Sequence, residues 1–245
     1  MIKEERRGPI CVIEIDRPNR RNALDHATVM AMRARFAALN SDETVSAIVL
    51  SGTPPGFCAG SDLKELATLD LNGMAEHEAD TAAFARGISF MSKPVVAAVS
   101  GFALGGGFIL AASCDVVVSA PTTRWHLPEV VNGWIPPWGL TVLSARCGPV
   151  KARRLTWGAS AIDGIEAHRL GVADIVADTP LEAAVAEAEA LAKLPAEAVA
   201  STKRFFARQI MGTGEADDTE ANILFVDDCR SDAAVATFKR FGMRS

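Results

Sequence analysis

Three consecutive glycines lie inside a long uncharged run, PVVAAVSGFALGGGFILAASC, residues 94–114. Glycine in a helix interior costs roughly 1 kcal/mol relative to alanine, so one continuous helix through Gly105, Gly106 and Gly107 is disfavoured. The run is long enough to cross a bilayer, yet it opens on Pro94, carries the triplet at its centre and has no flanking cluster of Lys or Arg, all of which argue against a spanning helix. The segment reads instead as strand, glycine turn and buried helix. A phosphate-cradling loop would need Gly-Lys-Ser/Thr after the glycines, and a dinucleotide fingerprint would need Gly-x-Gly-x-x-Gly; the segment offers neither. Two readings remain. The glycines let a helix and a strand pack closely, or they deliver free backbone N–H groups at the positive end of a helix to an oxygen on which negative charge grows.

A second turn of the same kind comes earlier. PPGFCAGSDLKEL, residues 54–66, follows an apolar run and opens a helical window. Two donors from two strand-to-helix turns make a complete oxyanion hole. Alternating and β-branched runs predict strands over residues 10–15, 46–52, 94–101 and 115–120. Between the first two, Leu24, Val29, Met32, Phe36 and Leu39 recur at helical spacing. Strands alternating with helices define an α/β core over residues 1–178. From residue 179 to 245 the character becomes helical, with alanine-rich windows that start at Pro180 and Pro195, and NILFVDDCRSDAAVATFKRF reading as one last helix.

The 25 Lys and Arg against 30 Asp and Glu leave a net charge of −5 and no basic stripe, which argues against nucleic acid as a partner. Five scattered cysteines without a Cys-x-x-Cys pair, and four histidines without metal-ligand spacing, argue against disulfides and a metal site. Charges crowd the first seven residues where a signal peptide would be apolar. A cytoplasmic protein with no membrane contact is the expectation.

RPNRRNAL (residues 17–24), FCAGSDLKEL (57–66), KPVVAAVSGFALGGG (93–107) and HLPEVVNGWIPP (126–137) stand in an order and spacing that resemble the crotonase, or enoyl-CoA hydratase/isomerase, superfamily. ASAIDGIEAHRLGVADIVAD and LPAEAVASTKRFF extend the resemblance over nearly the whole chain. It implies a ClpP-like α/β superhelix of ββα units, with C-terminal helices that build a homotrimer or a dimer of trimers. It also implies an acyl-CoA thioester as ligand, with coenzyme A part of the substrate and no separate cofactor. By matching positions, the backbone N–H groups of Ser61 and Gly106 are the oxyanion donors. The backbone around Ala59, Ser61 and Leu63 lines the adenine pocket, and Arg20 and Arg21 stand where family members place a cation near the CoA phosphates, although both also read as solvated charges before a helix.

Hydratases of this family use two carboxylates. Here the second is kept as Glu129, but the first, two residues past the triplet, is Ile109, and an aliphatic side chain transfers no proton. One base still suffices to move a proton from C2 to C4 of a 3-enoyl thioester while the oxyanion hole holds the dienolate. The mitochondrial Δ3,Δ2-enoyl-CoA isomerases look like this, and their isoleucine–proline–aromatic stretch resembles GWIPPWGL, residues 133–140. Isomerisation is therefore the leading expectation, with Gly105, Ile109, Trp134 and Trp138 beside the acyl chain. His126 is a further candidate proton carrier, its alternative being a histidine fixed by a structural hydrogen bond. Asp62 is a weaker candidate, more naturally a cap for its turn. The rival readings are hydration, decarboxylation or thioester hydrolysis, and a non-catalytic acyl-CoA-binding trimer. RNA binding, known in one branch of the family, is disfavoured because the first helix carries only Arg33 and Arg35.

Overall fold

The computed structural model describes residues 1–242. Strands β1 (Ile2–Arg7) and β2 (Ile10–Ile15) are followed by α1 (His26–Ser41), β3 (Ala47–Gly52), the single turn α2 (Leu63–Leu66) and the long α3 (Leu71–Ser89). Next come β4 (Val95–Val99), β5 (Phe102–Leu104), α4 (Gly106–Ala112), β6 (Val116–Ser119), β7 (Arg124–His126) and the single turn α5 (Glu129–Asn132). The chain continues through α6 (Leu140–Cys147), α7 (Pro149–Thr156), α8 (Gly164–Leu170), β8 (Ile175–Val176), α9 (Pro180–Ala192), α10 (Ala196–Met211), α11 (Gly214–Asp228) and α12 (Asp232–Phe241).

The main sheet runs in the order β1-β2-β3-β4-β6-β8, parallel except for the β1–β2 hairpin. Its central strands are apolar at nearly every position because both faces are covered. Cys11, Ile13, Ile48, Leu50 and Val95 pack with Val29, Met32 and Phe36 of α1 and Ile88 of α3, while Val12, Val49, Val96 and Val118 face Ala184, Val185 and Ala188 of α9. The helix that opens the expected C-terminal region thus lies on the sheet as part of the core. β1, whose charges carried the only signal there, is an exposed edge strand, where alternating Lys, Glu and Arg oppose edge-to-edge pairing.

β4 and β6 each end in a turn that leads into a short second-layer strand, β5 and β7, and then a helix. These second-layer pieces pair with one another: Cys58 with Ala103, Ala103 with Trp125, and Trp125 with Ile162. The ladder aligns successive strand-to-helix turns along one edge of the core, which is the superhelix of ββα units in concrete form. The expected last helix is two: α11 ends at Asp228, and Ser231, accepting from the Ala234 N–H at 3.2 Å, caps α12. The break turns α12 back so that Phe238 stacks on Trp134 at 4.7 Å, with Phe225 of α11 edge-on to the same indole.

The glycine triplet is one place where the two layers touch closely. A Cβ on Gly107 would lie 2.3 Å from the carbonyl oxygen of Cys58, a backbone atom that moves only if the strand moves. Gly107→Ala should therefore destabilise the fold by about 1–3 kcal/mol and lower Tm by roughly 3–10 °C. Gly87 in α3, where a Cβ meets nothing within 4 Å, is the control: Gly87→Ala should raise stability by up to about 1 kcal/mol. Equal melting temperatures for Gly107→Ala and the parent in a calorimetric scan would contradict this account.

Candidate active site

The three glycines have three different neighbours. Gly105 adopts φ +53°, and a Cβ there would lie 2.5 Å from Glu129 Oε1. A Cβ on Gly106 would meet Trp138 Cζ2 at 3.0 Å and the Ser61 nitrogen at 3.7 Å, and Gly107 abuts Cys58. The triplet thus brings a carboxylate, an indole and the earlier glycine turn to the start of α4. Gly60, at φ +85°, has its Cα so near that a Cβ would sit 2.9 Å from the Gly106 nitrogen. Hydrogen bonds from Leu104 N to Cys58 O and from Gly105 N to His126 O, 2.9 and 2.8 Å, fix the approach. Among the described residues the N–H groups of Ser61 and Gly106 donate no backbone hydrogen bond, as expected for turns that feed helix starts. Both residues line one narrow cavity with Ala59, Leu63, Gly105, Ile109, Glu129, Trp134 and Trp138. The cavity holds about 50 Å³, the liquid volume of roughly two waters.

Glu129 opens α5 and is 7 % exposed. Its Oε2 has no hydrogen-bond partner among the described residues. Burial pushes its carboxyl up to about 8, with the negative charge of Glu78 adding to the effect. A desolvated carboxyl titrating there takes a proton more readily than a solvated one. Ile109 is buried beside it, and its Cγ2 fills the space over Gly139, where a Cβ would lie only 2.0 Å away.

Trp138 closes the other wall. Its Nε1 donates to Glu78 Oε2 at 2.8 Å, and the Gly139 N–H donates to Asp218 Oδ1 at 2.8 Å. Asp218 also accepts from Arg86 at 2.5 Å, so α11 ties α3 to the tryptophan loop. Glu78 lines the same cavity and was not found in the sequence. The signal was present: Met74, Glu78, Ala82 and Ala85 share one buried face of α3, and an acid in such a stripe marks a polar interior.

The remaining sequence candidates lie outside the cavity wall. His126 sits on β7 with Nε2 2.8 Å from Gly158 O, the structural bond that was its alternative reading. Asp62 caps α2, accepting from Lys64 N at 3.2 Å, and pairs with Arg17 at 3.0 Å. The loop bearing Arg20 and Arg21 runs beside Ala59, whose N–H donates to Arg21 O at 3.1 Å, while the Arg21 guanidinium lies 4.7 Å from the centre of the Phe102 ring. Beside them, Cys58 is a fully buried core thiol, which burial pushes up to about 12. Among the described residues no cluster of His, Cys, Asp or Glu is arranged to hold a metal ion.

Comparison with known proteins identifies the family. The chain matches the Enoyl-CoA hydratase/isomerase family over residues 5–239. It is 37% identical over 201 residues to a "Probable enoyl-CoA hydratase" of Rhizobium meliloti, covering 80% of this chain and 77% of that protein. A "Crotonyl-CoA hydratase" of Syntrophomonas wolfei is 35% identical over 174 residues, 70% of this chain and 67% of the relative. The crystal structure of an enoyl-CoA hydratase/isomerase from Mycobacterium paratuberculosis superposes with a TM-score of 0.89 at 27% identity, covering 98% of this chain and 97% of the other. With its strand order, its stacked glycine turns and a family match spanning nearly its full length, this chain belongs to the enoyl-CoA hydratase/isomerase family of acyl-CoA enzymes, the crotonase superfamily.

Proposed function

We propose that this enzyme shifts the double bond of a short 3-enoyl-CoA thioester to the 2-position, with Glu129 as the base and the N–H groups of Ser61 and Gly106 as oxyanion donors. One observation carries the reading: the position where the family's hydratases keep a first carboxylate is occupied by Ile109, packed on Gly139, while Glu129 lies over Gly105 in the same cavity. The thioester oxygen accepts from the two N–H groups, which acidifies C2. Glu129 removes the C2 proton, the charge spreads through a dienolate onto the thioester oxygen, and protonation at C4 yields the conjugated product. Arg20 and Arg21 serve the CoA phosphates, and the backbone of Ala59, Ser61 and Leu63 serves the adenine. The acyl chain runs between Gly105, Ile109, Trp134 and Trp138. Coenzyme A arrives with the substrate, and a proton shift calls for no other cofactor.

Hydration is the second reading, favoured by the hydratase names of the relatives. Incubation with short 3-enoyl, 2-enoyl and malonyl-type thioesters separates them. Conjugation of the 3-enoyl substrate, followed by ultraviolet absorbance, supports isomerisation; gain of one water by the 2-enoyl substrate with no action on the 3-enoyl substrate refutes it.

Exposed Phe205, Phe206 and Ile210 on α10 and Ile223 and Leu224 on α11 support assembly through the C-terminal helices as a homotrimer or a dimer of trimers. The five cysteines, all free thiols, support a reducing cytoplasm, and no described helix is long and apolar enough to cross a membrane.

Glu129→Gln keeps the shape of the side chain and removes the base. It should lower kcat by about 10²- to 10⁴-fold with thioester binding, measured by calorimetry, nearly unchanged; a variant keeping a tenth of the activity contradicts the assignment. Because the ionised form is the base and its pKa is raised from 4.5 to about 8, about a tenth of the free enzyme is competent at pH 7. The kcat/KM profile should accordingly rise with pH from about 6 to about 8, and a flat profile over that range would contradict it. Light scattering should give three or six times the 25.9 kDa chain mass; a monomer would refute the assembly.

A further inference from the structure

We propose that Glu78 is a second acid/base residue of this site, facing the substrate across the cavity from Glu129 and replacing the carboxylate that Ile109 displaces. The inference rests on the reading of the cavity as a place where a proton moves on an acyl thioester. Glu78 is 2 % exposed and lines the cavity shared by Ser61, Gly106 and Glu129. Trp138 Nε1 occupies Oε2 at 2.8 Å, and among the described residues Oε1 accepts no hydrogen bond and no Lys or Arg pairs with the carboxylate. Holding the indole N–H alone would need only a neutral amide, and burying a carboxylate on one hydrogen bond is costly. The same indole reaches over Gly106, so Glu78 stands one ring width from the oxyanion turn.

The helix that carries Glu78 is fixed. The Asn222 side chain donates to Ala75 O at 2.9 Å, and Arg86 pairs with Asp218 at 2.5 Å, so α11 clamps α3 on both sides of the residue. The two carboxyls act on one another at the cavity, where the negative charge of Glu78 raises the Glu129 carboxyl.

With Glu129 ionised and a proton carried on Glu78, the step balances. Ionised Glu129 takes the C2 proton, and the C–H electron pair enters the dienolate, whose negative charge rests on the thioester oxygen. The pair then returns from the oxygen to reform the carbonyl, C2=C3 forms, and the former C3=C4 pair takes the proton of Glu78 at C4. Glu129 ends protonated and Glu78 ionised, and exchange with solvent restores the starting state.

The test uses Glu78→Gln, which still accepts from Trp138 and cannot donate an acid proton. In D2O with a short 3-enoyl-CoA, the wild type should place solvent deuterium at C4. Glu78→Gln should lose about 50-fold or more in kcat with KM within about two-fold, and its residual product should carry the substrate's own C2 proton at C4. A kcat within about three-fold of wild type overturns the proposal, as does a slow variant that still labels C4 from solvent. If Glu78→Gln melts below the assay temperature, the wild type decides: substrate deuterated at C2, run in ordinary water, must lose that deuterium, and its quantitative transfer to C4 overturns the proposal. A wild type that hydrates 2-enoyl-CoA instead refutes isomerisation alone, and the same fold-loss in Glu78→Gln then supports the assignment while an unchanged rate overturns it. A wild type inert toward both thioesters overturns both readings.

Discussion

The backbone of Gly107 lies so close to the Cys58 carbonyl that no side chain fits between them, and the site depends on this contact. It holds the first glycine turn against the second. The free N–H groups of Ser61 and Gly106 are neighbours because the two turns are stacked, and the turns are stacked because Cys58, Ala103 and Trp125 pair in the second layer. A methyl group at Gly107 would push the Cys58 backbone away and with it separate the two turns. Donors held by the fold need no rearrangement when charge develops on a bound oxygen, and this is the source of their catalytic value.

Electrostatic tension is concentrated on the same spot. Glu129 is buried with one oxygen unpartnered, above a glycine whose missing side chain makes room for it. Such a carboxylate is unfavourable for folding and useful for chemistry. The surrounding structure is correspondingly rigid: Trp134 is stacked on Phe238, Trp138 is bonded to Glu78, and Asp218 joins the tryptophan loop to Arg86. The C-terminal helices α11 and α12 therefore brace the active site of their own chain in addition to presenting apolar side chains to the outside.

What was legible in the sequence was local or carried by glycine. The strands at residues 10–15, 46–52, 94–101 and 115–120 were readable because a parallel sheet covered on both faces demands apolar runs, and the triplet because glycine has few other reasons to recur inside one. Ile109 was conspicuous as an aliphatic residue where an acid was expected. β1 was not legible, since an edge strand with charged side chains has the composition of a solvated tail. The break between α11 and α12 depends on a single capping serine and on where Trp134 stands. Spacing could place Glu78 on the buried stripe of α3 but not in the cavity, because that helix is remote in sequence from both glycine turns and the contact with Trp138 spans 60 residues.

The account makes one geometrical claim above all: a thioester oxygen binds between the two stacked turns with its C2 carbon facing Glu129. A crystal structure with a non-reactive acyl-CoA analogue measures this directly. The oxygen should lie about 3 Å from the nitrogens of both Ser61 and Gly106, with the nearest Glu129 oxygen within about 3.5 Å of C2. An analogue bound with its thioester oxygen on any other donor, or with C2 turned away from Glu129, would contradict the account.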